Sequence, residues 1–531
     1  MMKKSFLILP IIPFLFFLNL HAQHEDYPLD VPNECTSITM GKKATDDGSV
    51  RTSHTDDSHR TRSNIFVTPA KNHREGTTVT MYKRLWDNTN SMVSYRNDSI
   101  GTIPQIAHTF AYLNTAYPCM NEKQLAIGES TFGGRSSLQS DVGLIDCQRL
   151  CTLMLERCST ARQAITVAGE LLKTYGWIDA GECLTIADKN EVWHFEIMGP
   201  GKGNKGAVWA AQRVPDEHIS VNANASTIKE IDTANKDYFM YSDNIFSLAL
   251  DSGWWDGKEP FRFCYAYAPA SRALLAARRR EWRVFDLLAP SLKLDPNMEN
   301  YPFSVKPDTL VTLEKMMNVF KDYYEGTEYD LRKNITVKGD SGKMVISPLA
   351  NPFMSVDELR LHKVNGGWHH LGERNIAVRF TMYGTVIQCR DWLPDEIGGV
   401  VWFALDNVAS SVYVPIYCSV TDLPQAYKTD GRKTGFSRDA AWWAFNRLGT
   451  LAAQRWGTFR YEIDKTWLPF QKHLIDNQAA IEKQALDMYN AKKPAKTIQL
   501  LTNYTDEWCR KAIDAAWDLG DYIWTKYDGY W

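Results

Sequence analysis

Short alternating and apolar runs separated by polar turns fill the first half of the chain. Residues 36–40 and 50–55 read as two strands around the polar turn Asp46-Asp47-Gly48. Such a hairpin returns its far end to the neighbourhood of Cys35. Residues 58–76 are charged and rich in His and Arg, the pattern of a loop, and 78–87 read as a strand. Residues 125–134, Leu-Ala-Ile-Gly-Glu-Ser-Thr-Phe-Gly-Gly, read as a buried strand running into a glycine turn. Apolar residues recur at helical spacing from 144 to 175, and Gly176 follows as a stop signal. A hairpin is expected over 183–187 and 192–197, with short strands at 207–212 and 218–222. Helical patterns return at 270–288 and 310–324, strand patterns at 378–383 and 400–405, and 439–522 is mainly helical. This order predicts an α+β protein: a sheet-on-sheet core covered by helices, with an additional helical C-terminal region.

The length of 531 residues suggests about two to four domains. Residues 1–22 have the form of a signal peptide: Lys3-Lys4, an apolar run from Phe6 to Leu20, and Ala22 as the cleavage residue. The run is short for a membrane span. Residues 23–34 are polar, contain Pro28 and Pro32, and read as a propeptide or tether. The remainder divides into a main domain over 35–430 and a helical region over 431–531 that packs on it. Export is therefore expected, to the periplasm or outside the cell, with no membrane association after cleavage. A net charge of −3 offers no general attraction for nucleic acid. Homo-oligomerisation is left open by the sequence.

There are 10 cysteines. In an exported chain these raise the question of disulfides. Cys147, Cys151 and Cys158 fall near one face of one expected helix, where buried thiols and bridges are equally compatible. No CxxC pair occurs, so zinc-ribbon and thioredoxin readings have no support.

Cys35 carries the most interesting chemistry. If residues 23–34 are removed, its thiol and a free α-amine share one residue. An α-amine with pKa about 7.7–8.0 can take the thiol proton. A structural cysteine, bridged or buried, is the competing reading. His54-Thr-Asp56-Asp57-Ser-His59 fits a support for Cys35, a metal site or a solvated turn. Glu129-Ser130-Thr131 and the glycines after it could present donors to an oxyanion. Asn224, after the strand at 218–222, could do the same, or form an Asx turn. Arg272 could clamp a carboxylate, and Arg278 to Arg280 read as a solvated helix face.

Taken in order, these pieces resemble peptidase family C69, the dipeptidase A-like members of the N-terminal-nucleophile (Ntn) hydrolase superfamily. The resemblance rests on Cys35-Thr-Ser-Ile-Thr-Met-Gly-Lys-Lys-Ala-Thr-Asp-Asp-Gly-Ser, on Ser-His-Thr-Asp-Asp57-Ser, and on Met120-Asn-Glu-Lys-Gln-Leu-Ala-Ile-Gly-Glu-Ser-Thr131. It continues through Trp193-His-Phe-Glu196, Trp209-Ala-Ala-Gln-Arg-Val-Pro-Asp216 and Ile219-Ser-Val-Asn-Ala-Asn224. It implies a four-layer αββα sandwich and hydrolysis of amide bonds in dipeptides or small peptides. Cys35 is then the nucleophile once exposed, by autocatalysis or with assistance. Asp57 is the acid near the α-amine, Asn224 and the Glu129–Thr131 segment serve the oxyanion, and Arg272 closes the site. His54, Ser130 and Thr131 are expected to meet substrate. More distant bile-salt and penicillin hydrolases carry arginine where this chain has His54, and Arg51 or Arg272 could substitute in stabilising the thiolate. No metal or organic cofactor is expected. The alternatives are an amidohydrolase acting on acylated amino acids or bile-salt-like amides, and an exported, non-catalytic peptide- or glycan-binding protein.

Overall fold

The computed structural model describes residues 35–58, 61–87, 94–354, 358 and 374–529. The expected signal peptide and propeptide, and His59, lie outside the described residues. The described residues belong to one compact unit.

The first hairpin forms as its sequence dictates. Strand Ser37–Met40 pairs antiparallel with Val50–Asp57, with Met40 opposite Arg51 and Thr36 opposite Thr55. Gly48 takes φ 81° in the turn, a conformation that a Cβ disfavours. Asp47 fastens the turn by accepting from the Ser49 backbone at 3.0 Å and from the Ser49 hydroxyl at 2.6 Å. The pair is the centre of a seven-stranded sheet. Ile219–Asn222 flanks Ser37–Met40, and Thr381–Cys389 flanks Val50–Asp57. The expected strand at 378–383 thus begins later and runs further.

A second sheet, of eight strands, contains Ala126–Gly133, Gly181–Ala187 and Val192–Met198 as consecutive neighbours. Alternation in these strands separates two faces. Ile127, Leu184, Ile186, Trp193, Phe195 and Ile197 enter one apolar core with helices Cys147–Arg157 and Ala161–Tyr175. The single helix expected over 144–175 is therefore two. Thr160 caps the second by accepting from the Gln163 backbone, and the Ser-Thr pair that breaks the pattern is a start signal. The expected loop over 58–76 also contains two short strands, Phe66–Thr68 and Lys71–Asn72.

The other faces of the two sheets meet through polar groups. Thr52 and Thr185 hydroxyls lie 2.8 Å apart, Ser37 donates to the Glu129 carbonyl at 3.0 Å, and Thr39 lies 3.0 Å from His194 Nε2. Gly128 lets the backbones approach: a Cβ there would stand 2.3 Å from the Ser53 carbonyl oxygen. The outer face of the seven-stranded sheet is covered by helices. Val400, Ile416 and Tyr417 share a core with Leu448, Trp467, Leu501 and Ala516 of the C-terminal helices Ala441–Gln454, Trp456–Asn490 and Pro494–Lys526. Helix, sheet, sheet, helix is the expected four-layer order. Among the described residues no helix is long and apolar enough to cross a membrane. All ten cysteines are buried free thiols.

His194 yields a test of this inner layer. Burial pushes its imidazole down to about 3. In the unfolded chain it titrates near 6.5. Between these values the unfolded state binds the extra proton, so stability falls as pH falls. Wild type should lose about 2 kcal/mol more than His194→Gln between pH 6.5 and 4.5, at about 1.4 kcal/mol per unit. Equilibrium denaturation of both proteins across that range measures the difference.

Candidate active site

The strand register builds the site. Cys35 precedes Ser37–Met40 at the end where Val50–Asp57 finishes, and across the gap lies the strand Ala126–Gly133. The Cys35 backbone nitrogen donates to Asn224 Oδ1 at 3.0 Å, and its sulfur donates to Glu129 Oε2 at 3.3 Å. Asn224 reaches this position because it follows Ile219–Asn222, the neighbour of Ser37–Met40, and turns back with φ 64°. Asparagine tolerates that left-handed backbone better than most residues. Its own N–H donates to Ser130 Oγ at 2.9 Å, and its side-chain NH2 donates to the Thr131 carbonyl. The amide oxygen of Asn224 thus faces Cys35, while its NH2 braces the neighbouring sheet.

The thiol is held protonated. Burial is the largest cause pushing its pKa well above the ordinary value, followed by the carboxylates of Glu129, Asp56 and Asp57. The Asp57 backbone N–H acts in the opposite direction. Attack by this sulfur therefore requires a base to receive its proton as the new bond forms.

Glu129, Thr131 and Glu182 share one strand face, with Thr131 directly opposite Glu182. The Thr131 hydroxyl lies 2.9 Å from Glu129 Oε1 and 2.8 Å from Glu182 Oε1. A hydroxyl carries one hydrogen and cannot donate to both. One carboxyl must itself be protonated. Glu182 is that one: burial, and then the charge of Glu129, push its pKa well above the usual carboxylate range.

Asp57 is fully buried and accepts from Thr381 Oγ1 at 2.7 Å, Arg374 at 3.0 Å and Thr55 Oγ1 at 3.1 Å. Thr55 in turn accepts from the Thr36 backbone at 3.1 Å, which ties Asp57 to the residue after Cys35. The His54 ring sits against Tyr117 and Tyr383, with Nδ1 2.7 Å from the Glu129 carbonyl oxygen. Cys35, His54 and Glu129 offer ligand atoms within 4.8 Å of one another. In the tautomer with the hydrogen on Nδ1, that nitrogen donates to the carbonyl and has no lone pair for an ion.

The site has a cavity of about 220 Å³, lined among others by Cys35, Asp56, Thr131, Asp146, Asp179 and Glu182, with Lys83 and Arg84. A larger cavity of about 550 Å³ lies away from Cys35. Of the residues singled out in the sequence, Cys35, Asn224, Glu129 and Thr131 meet directly. Asp57, His54 and Ser130 stand behind them. Arg272 does not join them: it is buried in a bidentate pair with Glu281, at 2.7 and 3.1 Å. Nor does Arg51, which pairs with Asp46 at 2.8 Å and Asp47 at 2.7 Å in the far turn.

Arg280 takes the place beside Cys35, contrary to the solvated face expected for it. It is fully buried and donates to the Cys35 carbonyl at 2.8 Å, Thr36 Oγ1 at 3.0 Å, the Ala223 carbonyl at 3.1 Å and Asn224 Oδ1 at 2.8 Å. A signal for it was present: Ala276, Arg280, Val284 and Leu288 follow one another at four-residue spacing. An arginine within an apolar helical stripe has to be paired inside the fold.

A thiol, an orienting amide and clustered carboxylates at one end of a stacked two-sheet core define a hydrolytic enzyme of the α+β class. The chain belongs to Peptidase family C69, whose model matches residues 34–468. It is a peptidase. It is similar to "Probable dipeptidase" of Latilactobacillus sakei, 25% identical over 85% of this chain and 88% of that protein. It is also similar to "Probable dipeptidase" of Salmonella dublin, 24% identical over 72% and 80% of the two chains. "Dipeptidase A" of Lactobacillus helveticus is 21% identical over 79% and 81%.

Proposed function

We propose that the protein is an exported cysteine-dependent N-terminal-nucleophile dipeptidase. The observation that supports this best is the double grip on Cys35: its nitrogen is held by Asn224 Oδ1 at 3.0 Å while its sulfur lines the cavity. Removal of residues 23–34 turns that nitrogen into a free amine already inside hydrogen-bonding reach. The sulfur then attacks the scissile carbonyl and passes its proton to the amine. The amine protonates the leaving nitrogen as the C–N bond breaks. Water hydrolyses the thioester, restoring the thiol and releasing a carboxylic acid. One hydrogen of the Asn224 NH2 goes to the Thr131 carbonyl, and the other would serve the oxyanion. The relatives' printed names and the small cavity both favour dipeptides over long chains.

Intact mass and N-terminal sequencing of active material test the maturation step. The expected mature chain starts at Cys35, and protein retaining residues 23–34 is inactive. Full activity in material that still carries those residues refutes the α-amine as base.

A further inference from the structure

Asp56 stands directly across from Cys35. Thr36 pairs with Thr55 in an antiparallel bridge, so the next step of the same register sets Cys35 opposite Asp56. Directly opposed residues project on the same face of a strand pair, with Cα atoms about 4.5–5.5 Å apart. Both line the same 220 Å³ cavity. The carboxylate is held in place, since Thr61 donates to Oδ2 at 2.5 Å. Among the described residues no donor reaches its other oxygen, Oδ1, although Asp56 is only 1% exposed. A buried acceptor with no donor costs free energy unless something else supplies one.

The other acids around the cavity have structural work. Asp146 accepts from the Arg149 backbone at 2.8 Å, and Asp179 from the backbones of Cys147 at 3.1 Å and Ala180 at 2.9 Å. They fix the start of helix Cys147–Arg157. Glu129 and Glu182 are joined through Thr131. Glu182 Oε2 also lacks a partner, but that carboxyl is tied through Thr131 to Glu129, whereas Asp56 carries its unpartnered Oδ1 on the residue directly across from Cys35.

We infer that Asp56 binds the free α-ammonium of the substrate, so that the enzyme requires an unblocked amino terminus. The inference rests on the dipeptidase reading above and narrows it. The α-nitrogen of a substrate lies two bonds from the carbonyl carbon under attack, so it must fall close to Cys35 and hence to its cross-strand neighbour. Burial pushes the Asp56 carboxyl well above the usual carboxylate range, and an ammonium set against it favours the ionised form and makes the hydrogen bond a charge-assisted one. Lys83 and Arg84, on the same cavity, suit the carboxylate at the substrate's other end. N-acylated amino acids and conjugated bile acids carry no such ammonium and would leave Asp56 buried against an apolar chain.

The test compares three amides with the mature enzyme: alanyl-alanine, N-acetyl-alanyl-alanine, and propanoyl-alanine, which lacks only the ammonium. Alanyl-alanine should be hydrolysed with kcat/KM about ten- to a hundredfold above propanoyl-alanine. N-acetyl-alanyl-alanine should be refused. Asp56→Asn should raise KM for alanyl-alanine more than it lowers kcat and should shrink the preference over propanoyl-alanine. Equal hydrolysis of propanoyl-alanine by wild type overturns the inference without need of a variant, as does a preference that Asp56→Asn leaves intact. If that hydrolysis disappears in Cys35→Ala, the thiol mechanism survives and only the ammonium site falls. A mature enzyme that cleaves none of the three overturns both.

Discussion

Cys35→Ala is expected to abolish turnover and leave the fold in place. Removing a nucleophile that acts in concert with its base costs about 10⁵-fold or more in kcat. The structural loss is small. The sulfur contributes one hydrogen bond, to Glu129 at 3.3 Å, and a typical net contribution of that kind is about 1 kcal/mol. Backbone contacts of residue 35, to Asn224 and Arg280, do not depend on its side chain. Hydrolysis assays paired with thermal denaturation separate the two quantities. Cys35→Ser sharpens the comparison, because it keeps a hydroxyl beside the same nitrogen but offers a weaker nucleophile. Residual activity in the alanine variant near the wild-type level would remove the thiol from the mechanism.

Arg280→Met has the second largest expected effect, and it strikes stability and activity together. One guanidinium supplies donors to the Cys35 and Ala223 carbonyls, the Thr36 hydroxyl and Asn224 Oδ1. Methionine fills much of the volume but leaves buried acceptors without donors. The expected destabilisation is about 3–5 kcal/mol. In the protein that still folds, kcat should fall about a hundredfold, since the position of Cys35 against substrate is no longer fixed. Arg280→Lys should recover part of the stability and little of the activity, because an ammonium cannot reproduce the planar fork that reaches two strands at once. Urea titrations and kcat at saturating dipeptide measure both. A kcat near wild type in folded Arg280→Met would restrict the residue to a purely structural part.

Much of the architecture was legible in the chain because its signals are local. The first hairpin follows from alternation on either side of Asp46-Asp47-Gly48, and the second from the two short apolar runs at 183–187 and 192–197. The break after Cys158 was equally local and was passed over because apolar spacing continues through it. The site was legible in part. Cys35, Asp57, Glu129 and Asn224 were named from motifs, and the structure places each near the others. Glu182 was not, because it becomes a partner only through the register that sets it opposite Thr131, and register is a property of two distant segments. The choice of Arg272 over Arg280 failed for a related reason. Both are buried on neighbouring helices, and what separates them is Glu281, which neutralises Arg272 and leaves Arg280 to the strand ends. Which of two arginines meets a carboxylate depends on three-dimensional neighbours that spacing does not encode.

The hydroxyl-lined seam between the sheets has a mechanical meaning. Apolar layers can slip by small amounts at little energetic penalty, whereas directional bonds such as Thr52 to Thr185 and Ser37 to Glu129 key one layer to the other. The segment bearing the sulfur and the segment bearing its carboxylate neighbour are thereby locked in translation. Side chains at the cavity mouth are then free to diversify, altering which peptides are accepted while the reacting centre keeps its alignment.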